Sequence, residues 1–255
     1  MKMKQSALLF LLLAVFSRAV LGAESVDETR KKAEAGDAVA QCRIGVRYSK
    51  GDGVLEDTAE AAKWFRKSAE QGNAEAQNWI GWMHLAGAGV QPDVAEAAKW
   101  FRKSAEQGNA DSQFVLAGLH TNGDGVLKDS AEAAKWFRKS AEQGDAVAQF
   151  NLGLMYSTGD GVIKDTAEAA KWFRKSAEQG NAKAQNNLGF IYWSGIGVLK
   201  DIVQAHAWWN NASANGSETS KKHLSGIEKE MTPEQRSEAA RLAREIFERV
   251  EAKKK

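Results

Sequence analysis

Five tryptophans recur at a constant spacing of 36 residues, and this period constrains the fold more than any other feature of the chain. They are Trp64, Trp100, Trp136, Trp172 and Trp208. Four of them lie in identical blocks that read AEAAKWFRKSAEQG, and the fifth lies in a divergent copy that begins at Gln204. A period of this length is typical of stacked helical repeats, in which each copy contacts only its neighbours.

Each repeat contains two segments of helical period, separated by a Gly-x-Gly-Val-x-x-Asp loop. In the fourth copy they predict a first helix, helix A, over 146–158 and a second helix, helix B, over 166–179. An Asp is expected to begin each helix B, with a Glu or Gln three residues later completing a capping box. A Gly is expected just after each helix B ends. The aspartates are Asp57, Asp93, Asp129, Asp165 and Asp201, and the glycines are Gly72, Gly108, Gly144, Gly180 and Gly216.

The complete pattern reads Ala-x-x-x-x-Leu-Gly-x-x-Tyr-x-x-Gly-x-Gly-Val-x-x-Asp-x-x-x-Ala-x-x-Trp-Phe-x-x-Ala and runs through residues 38–217 in five copies. It resembles the Sel1-like repeat, a relative of the tetratricopeptide repeat. The resemblance implies an all-α fold, an α-solenoid of antiparallel helix pairs that forms a right-handed superhelix. It also implies that helix A lines a concave surface that meets ligands.

Three segments lie outside the repeats. Residues 1–23 combine a basic start, a short apolar run and small residues before Glu24, which is the layout of a secretory signal peptide. Residues 24–37 align with a helix B that lacks the Trp-Phe pair and are predicted to form an N-terminal capping helix. Residues 218–255 are predicted to form capping helices over 221–229 and from Thr232 to about Glu251, closing the stack, with a basic tail. We therefore expect an exported protein, periplasmic or secreted, without a membrane span in the mature chain.

The charge of the chain is nearly balanced, with 35 basic and 33 acidic residues. Without residues 1–23, which hold three basic residues and no acid, the net charge is −1. This balance argues against a nucleic-acid partner, which would call for a basic excess. On helix B, the spacing of Arg66 and Glu70 predicts an i,i+4 ion pair on a solvated face.

Residues with catalytic or metal-binding chemistry are few and scattered. His84 and His120 occupy a repeat position that holds Tyr in the other three copies, so they are interpreted as packing residues. The single cysteine, Cys42, is interpreted as a variable surface position without an activating base. No His-x-x-x-His or Cys-x-x-Cys spacing indicates zinc, and no Ser-x-x-Lys motif is present.

We therefore predict no cofactor, no metal and no enzymatic activity. The alternative is a hydrolase acting on cell-wall or β-lactam substrates, an activity described for some cysteine-rich proteins of the family that this chain resembles. A further alternative is a purely structural periplasmic scaffold.

Helix A varies among the copies while helix B is almost invariant. The variable columns are spaced i, i+4 and i+7 and so share one face of helix A. Large apolar residues on that face are Trp82, Leu85, Phe114, Phe150, Leu154, Phe190 and Trp193. Aromatic residues are enriched at interface hot spots. We predict a groove that binds a protein or peptide, as a scaffold or adaptor in the envelope or at a host cell, although some of these residues could instead pack against a neighbouring repeat.

Overall fold

The structure, a computed structural model, describes residues 24–253 as thirteen helices, and no strand occurs among these residues. The helices are α1 Val26–Glu34, α2 Ala38–Lys50, α3 Thr58–Glu70, α4 Ala74–Ala86, α5 Val94–Glu106, α6 Ala110–Asn122, α7 Ser130–Glu142, α8 Ala146–Thr158, α9 Thr166–Ala177, α10 Ala182–Ser194, α11 Ile202–Ala214, α12 Glu218–Ile227 and α13 Pro233–Ala252. The predicted signal peptide and the last two residues of the predicted basic tail lie outside the described residues.

The helices form two compact units that divide between Asp129 and Ser130. The first unit contains α1 to α6, and within it each helix from α1 to α5 packs against the one that follows. The second unit contains α7 to α13, of which α7 to α12 pack in chain order while α13 returns to α11. This series of helix pairs, packed one after another, is the all-α solenoid that the repeat predicts.

The predicted helix boundaries of the fourth copy hold closely. Helix A is α8, with the predicted bounds, and helix B is α9, which ends two residues earlier than predicted, at Ala177. The four residues of α9 that share its inner face are all buried: Ala169, Ala170, Phe173 and Ala177. The predicted glycine that follows, Gly180, has φ of 89°, and its four equivalents are also left-handed. Only glycine adopts this conformation without strain, which explains its recurrence at this point.

Helix B begins at the predicted aspartate, but the predicted capping box is only half formed. Asp57 Oδ1 accepts a hydrogen bond from Glu60 N at 2.9 Å. The Glu60 carboxylate does not return to the Asp57 backbone, because that N–H already donates to Tyr48 O at 3.0 Å. Glu60 instead pairs with the lysine three residues further on, at 2.8 Å. The same three contacts occur at Asp93 and Asp165. The backbone N–H of the capping aspartate thus links helix B to the preceding helix A.

A buried ladder of polar groups joins successive repeats. Gln41 Nε2 donates to Ala33 O at 3.1 Å, and Gln41 Oε1 accepts from Gln71 Nε2 at 2.7 Å. The buried Ser68 hydroxyl donates to Ala38 O at 2.6 Å. Equivalent bonds recur within the second unit. Because a buried polar group without a partner is costly, this ladder holds each repeat in one register against the next.

The C-terminal helices begin close to where the sequence predicts. α13 starts with a capping box between Thr232 and Gln235 and has Pro233 in its first turn, as expected. α12 occupies 218–227, which is shifted by a few residues from the predicted 221–229 because Ser217 caps it and accepts from Ser220 N.

The sequence predicts only that the C-terminal helices close the end of the stack. In the structure, α13 also folds back along helix B of the last two repeats. Its residue Ala243 joins the buried cluster that contains Trp208. In the preceding repeat, the Lys175 ammonium lies 4.0 Å from the ring centroid of Trp172. Asn211 stands at the position of Lys175 and donates to Ala243 O at 2.9 Å. In the last copy, therefore, the place of the lysine near the tryptophan is taken by a contact with α13.

Candidate functional site

In the first unit, the predicted groove residues are partly built into the hydrophobic core. The Trp82 ring meets Phe101 edge-on, with ring centroids 5.5 Å apart and an interplanar angle of 82°. Leu85 packs against the same apolar cluster, and Phe114 is partly buried. Trp82 and Leu85 are therefore held by the core, and all three predicted residues have only part of their surface accessible.

In the second unit, the predicted residues range from half-buried to exposed. The Phe150 ring lies 5.8 Å from that of Phe173 and is partly buried, as is Leu154. Phe190 and Trp193 are 45% and 37% exposed, and their ring centroids are 5.6 Å apart. The two aromatic rings therefore contact each other and remain accessible to water.

Leu154 and Phe190 line an apolar cavity of about 370 Å³ between two neighbouring A helices, and we call it the α8–α10 cavity. Its floor includes Phe173 of α9, and its edge includes Ile196, which is 55% exposed in the loop after α10. The other lining residues are Ser157, Lys164, Thr166, Asn187, Ile191 and Ser194. The volume falls in the range of small ligand-binding clefts and accommodates a large side chain of a partner.

The lining of the α8–α10 cavity is suited to binding. Lys164 is its one charged residue, and the lining contains no carboxylate, imidazole or thiol. Nucleophilic catalysis would need a base that activates a nucleophile within hydrogen-bond reach, whereas the Ser157 and Ser194 hydroxyls donate to carbonyl groups of their own helices. The cavity instead offers apolar walls with hydroxyl and amide groups at their edges, as in recognition sites that fix the orientation of a ligand.

Ile196 and Lys164 were not among the predicted site residues, because both belong to loops that were interpreted only as turns. A signal for Ile196 is nevertheless present in the sequence, since the other copies have a small or acidic residue at its position. Those residues are Asp52, Ala88, Asp124 and Asp160. Two other loops have a lysine at the position of Lys164, so the sequence alone does not single out Lys164 as a site residue.

The histidine column is buried, as a packing role requires, and it also forms hydrogen bonds between helices. His84 Nε2 lies 3.0 Å from an Arg66 guanidinium nitrogen, and His84 Nδ1 lies 3.3 Å from a loop carbonyl. The predicted pairing of Arg66 with Glu70 is therefore wrong, because Arg66 reaches across to the next helix A. In copies with tyrosine the arginine contacts the hydroxyl, as in the pairs Arg138–Tyr156 and Arg174–Tyr192.

Cys42 is buried, at 2% exposure, and the prediction of a surface position is wrong. It lies in the apolar cluster that contains Phe65 and Ile80, because its side chain points from α2 into the packing between repeats. Burial raises the pKa of the Cys42 thiol well above its usual value, and the nearby Glu75 carboxylate adds to the rise. The thiol is therefore protonated at neutral pH, the unreactive form.

Among residues 24–253, no three His, Cys, Asp or Glu side chains are grouped so that they could hold a metal ion. Within this range, none of the helices combines the length and apolar character needed to cross a membrane.

Comparison with known protein families agrees with the repeat structure. The family described as Sel1 repeat matches five consecutive segments, residues 38–73, 74–109, 110–145, 146–181 and 182–217. These matches cover well over half of the chain and confirm the resemblance predicted from the sequence.

Known relatives of this chain include two solved structures. A Sel1 repeat protein from Oxalobacter formigenes is 33% identical, with a TM-score of 0.66, over 88% of this chain and 99% of that one. The structure of c5321, described as a protective antigen of uropathogenic Escherichia coli with an SLR fold, is 35% identical, with a TM-score of 0.59, over 88% of this chain and 56% of that one.

A curated relative matches over a shorter segment. The secretory immunoglobulin A-binding protein EsiB of Escherichia coli O6:H1 is 38% identical over 66 residues, which is 25% of this chain and 14% of EsiB. The chain thus spans about half of the c5321 structure and a small part of EsiB.

Proposed function

The chain belongs to the Sel1 repeat family, and from this premise we propose that it is an exported protein-binding module without catalysis of its own. It acts as a scaffold or adaptor that holds a protein or peptide segment against its A helices. In the second unit the contact is centred on the α8–α10 cavity. The observation that carries the proposal is the exposed Phe190–Trp193 pair beside this apolar cavity.

A protein is the class of partner that the available observations favour. Aromatic rings beside a concave apolar site are the kind of anchor that supplies most of the binding energy in protein interfaces. The name of EsiB reports binding to an immunoglobulin, which supports a protein partner in the envelope or at a host cell. The identity of that partner does not carry over, since the match covers 14% of EsiB. The proposed contact residues are Trp82, Leu85, Phe114, Phe150, Leu154, Phe190 and Trp193.

Export is the second part of the proposal. Residues 1–23 have the basic start, apolar run and small residues of a secretory signal peptide, which would deliver the mature chain to the periplasm or the medium. N-terminal sequencing of protein recovered outside the cytoplasm is expected to begin close to Glu24. Recovery only inside the cytoplasm, with Met1 retained, would contradict this part.

The binding proposal is tested with two phenylalanine variants of matched exposure. Peptides are selected from a random library displayed on phage, and their affinities are measured by fluorescence anisotropy. Phe190→Ala is expected to weaken the selected peptides by at least about tenfold, because truncating a hot-spot aromatic costs roughly 2 kcal/mol. Phe247→Ala removes a ring that is 48% exposed on α13, away from the cavity, and is expected to leave the affinities unchanged.

Two outcomes would overturn the proposal. One is equal binding by Phe190→Ala and the wild type, with circular dichroism showing that both remain folded. The other is clear turnover of a chromogenic β-lactam or of purified peptidoglycan, which would favour the hydrolase alternative.

A further inference from the structure

The A helices of the second unit carry charge of one sign only. α8 has no charged residue along its length, and α10 has one, Lys183. At the lining of the α8–α10 cavity, Lys164 provides the one charge, and it is positive. In the first unit, α2 likewise carries only basic residues, whereas α4 and α6 have Glu75 and Asp111 in their first turns. The α8–α10 cavity therefore combines apolar walls with positive charge, and neither of its two A helices bears an acid.

The local backbone holds Lys164 at the cavity. Gly159 ends α8 with φ of 83°, and the loop returns so tightly that a Cβ added to Gly159 would lie 3.2 Å from the Lys164 Cβ. The backbone of Lys164 therefore lies close against the end of α8. Its position is fixed by the loop, while its flexible side chain can still adjust to a ligand.

The Lys164 ammonium has no acidic partner of its own in the described part of the chain. Two acids lie in the same loop. Asp165 is engaged as the N-cap of α9 and accepts from Glu168 N at 2.9 Å, and Asp160 forms no ion pair with the lysine. An ammonium in this situation, beside an apolar cavity, favours a ligand that brings its own carboxylate.

We propose that the α8–α10 cavity selects an acidic–apolar peptide segment. A large apolar side chain of the segment enters between Leu154 and Phe190, and an Asp or Glu within two residues of it pairs with Lys164. The two contacts lie side by side because Lys164 itself lines the cavity. This inference rests on the proposed function and specifies the chemistry of the partner.

The test uses the same random peptide library, displayed so that each peptide is fused at its C-terminus and has no free terminal carboxylate. The wild type is expected to enrich peptides with Asp or Glu within two positions of a large apolar residue. Lys164→Glu is expected to enrich Lys or Arg at those positions instead. Lys200→Glu changes the equivalent lysine of the next loop, which does not line the cavity, and is expected to retain the acidic preference.

Affinities measured on one selected peptide refine the result. Lys164→Glu is expected to weaken this peptide about fivefold to tenfold, and the effect should shrink at high salt because exposed ion pairs are screened. A version of the peptide with its acid replaced by lysine should regain affinity for Lys164→Glu and lose it for the wild type.

The outcomes separate this inference from the proposed function. If Phe190→Ala abolishes binding while Lys164→Glu changes neither motif nor affinity, the acidic preference is wrong and the binding function stands. If neither variant affects binding, both proposals fail. If synthetic peptides with a free C-terminus bind far better than their amidated forms, the carboxylate comes from a chain end, which overturns the inference of an internal acid.

Discussion

Replacing Gly153 with alanine tests how tightly helix A packs on helix B. A Cβ at this buried position would lie 2.8 Å from two ring carbons of Phe173, where about 3.5–4.0 Å is the normal separation. Phe173 is 2% exposed and its ring also packs against that of Phe150, so a shift of the ring disturbs neighbouring side chains. Overpacking of this kind costs about 1–3 kcal/mol, while alanine gains about 1 kcal/mol over glycine within a helix. We expect Gly153→Ala to lose up to about 2 kcal/mol of unfolding free energy.

Gly118→Ala is the matched control, because Gly118 also lies inside a helix A but a Cβ there would meet nothing within 4 Å. Its unfolding free energy should rise by about 1 kcal/mol. The two variants should therefore differ in unfolding free energy by the cost of overpacking, about 1–3 kcal/mol. Urea unfolding followed by circular dichroism measures the stabilities. Since a repeat array can unfold in parts, hydrogen exchange of α6 and α8 localises each effect.

A rescue experiment completes this test. If the Phe173 ring is the obstacle, Phe173→Leu should cost less in the Gly153→Ala background than in the wild type, with a coupling of about 0.5–3 kcal/mol. Equal stability of Gly153→Ala and Gly118→Ala, or additive effects of the two changes, would refute the reasoning.

Two further predictions concern buried titratable groups of the first unit. Burial raises the pKa of the Glu75 carboxyl above its usual value of 4.5, so the folded state binds this proton more tightly than the unfolded state does. The free energy of unfolding therefore falls as the pH rises from the unfolded pKa through the raised pKa of the folded state. Glu75→Gln should therefore be more stable than the wild type at neutral pH, and this difference in unfolding free energy should vanish in acid. Urea unfolding at a series of pH values measures it, and a difference that stays constant with pH would contradict the prediction. The Cys42 thiol, the one thiol of the chain, should react with Ellman's reagent only after unfolding, and rapid labelling of the native protein would disprove its burial.

Local signals made the helix boundaries predictable from the sequence. An aspartate at the start of helix B and a glycine after its end act through the backbone of their own helix, so each copy carries the information within a few residues. The capping box failed for a non-local reason. The Asp57 N–H that Glu60 would bind is taken by Tyr48 O, in a different helix.

The candidate site was predictable in part. Helical spacing placed Phe190 and Trp193 on a variable face of helix A, and both are exposed there. The contribution of Lys164 depends on how the loop folds back on Gly159, which a residue pattern does not encode. The burial of Cys42 depends on side chains of another repeat, and its variability between copies was therefore misleading.

The fold-back of α13 affects how a gene of this kind can change length. The first four copies are identical from the second residue of helix B onwards, so we expect that whole interior units of 36 residues can be gained or lost while the packing of helix B is kept. The last copy differs, because Asn211 and Trp208 are matched to α13. We therefore expect the chain to tolerate added or lost units upstream of this terminal module, while an extra unit placed between Asn211 and α13 would separate α13 from the helix B against which it packs.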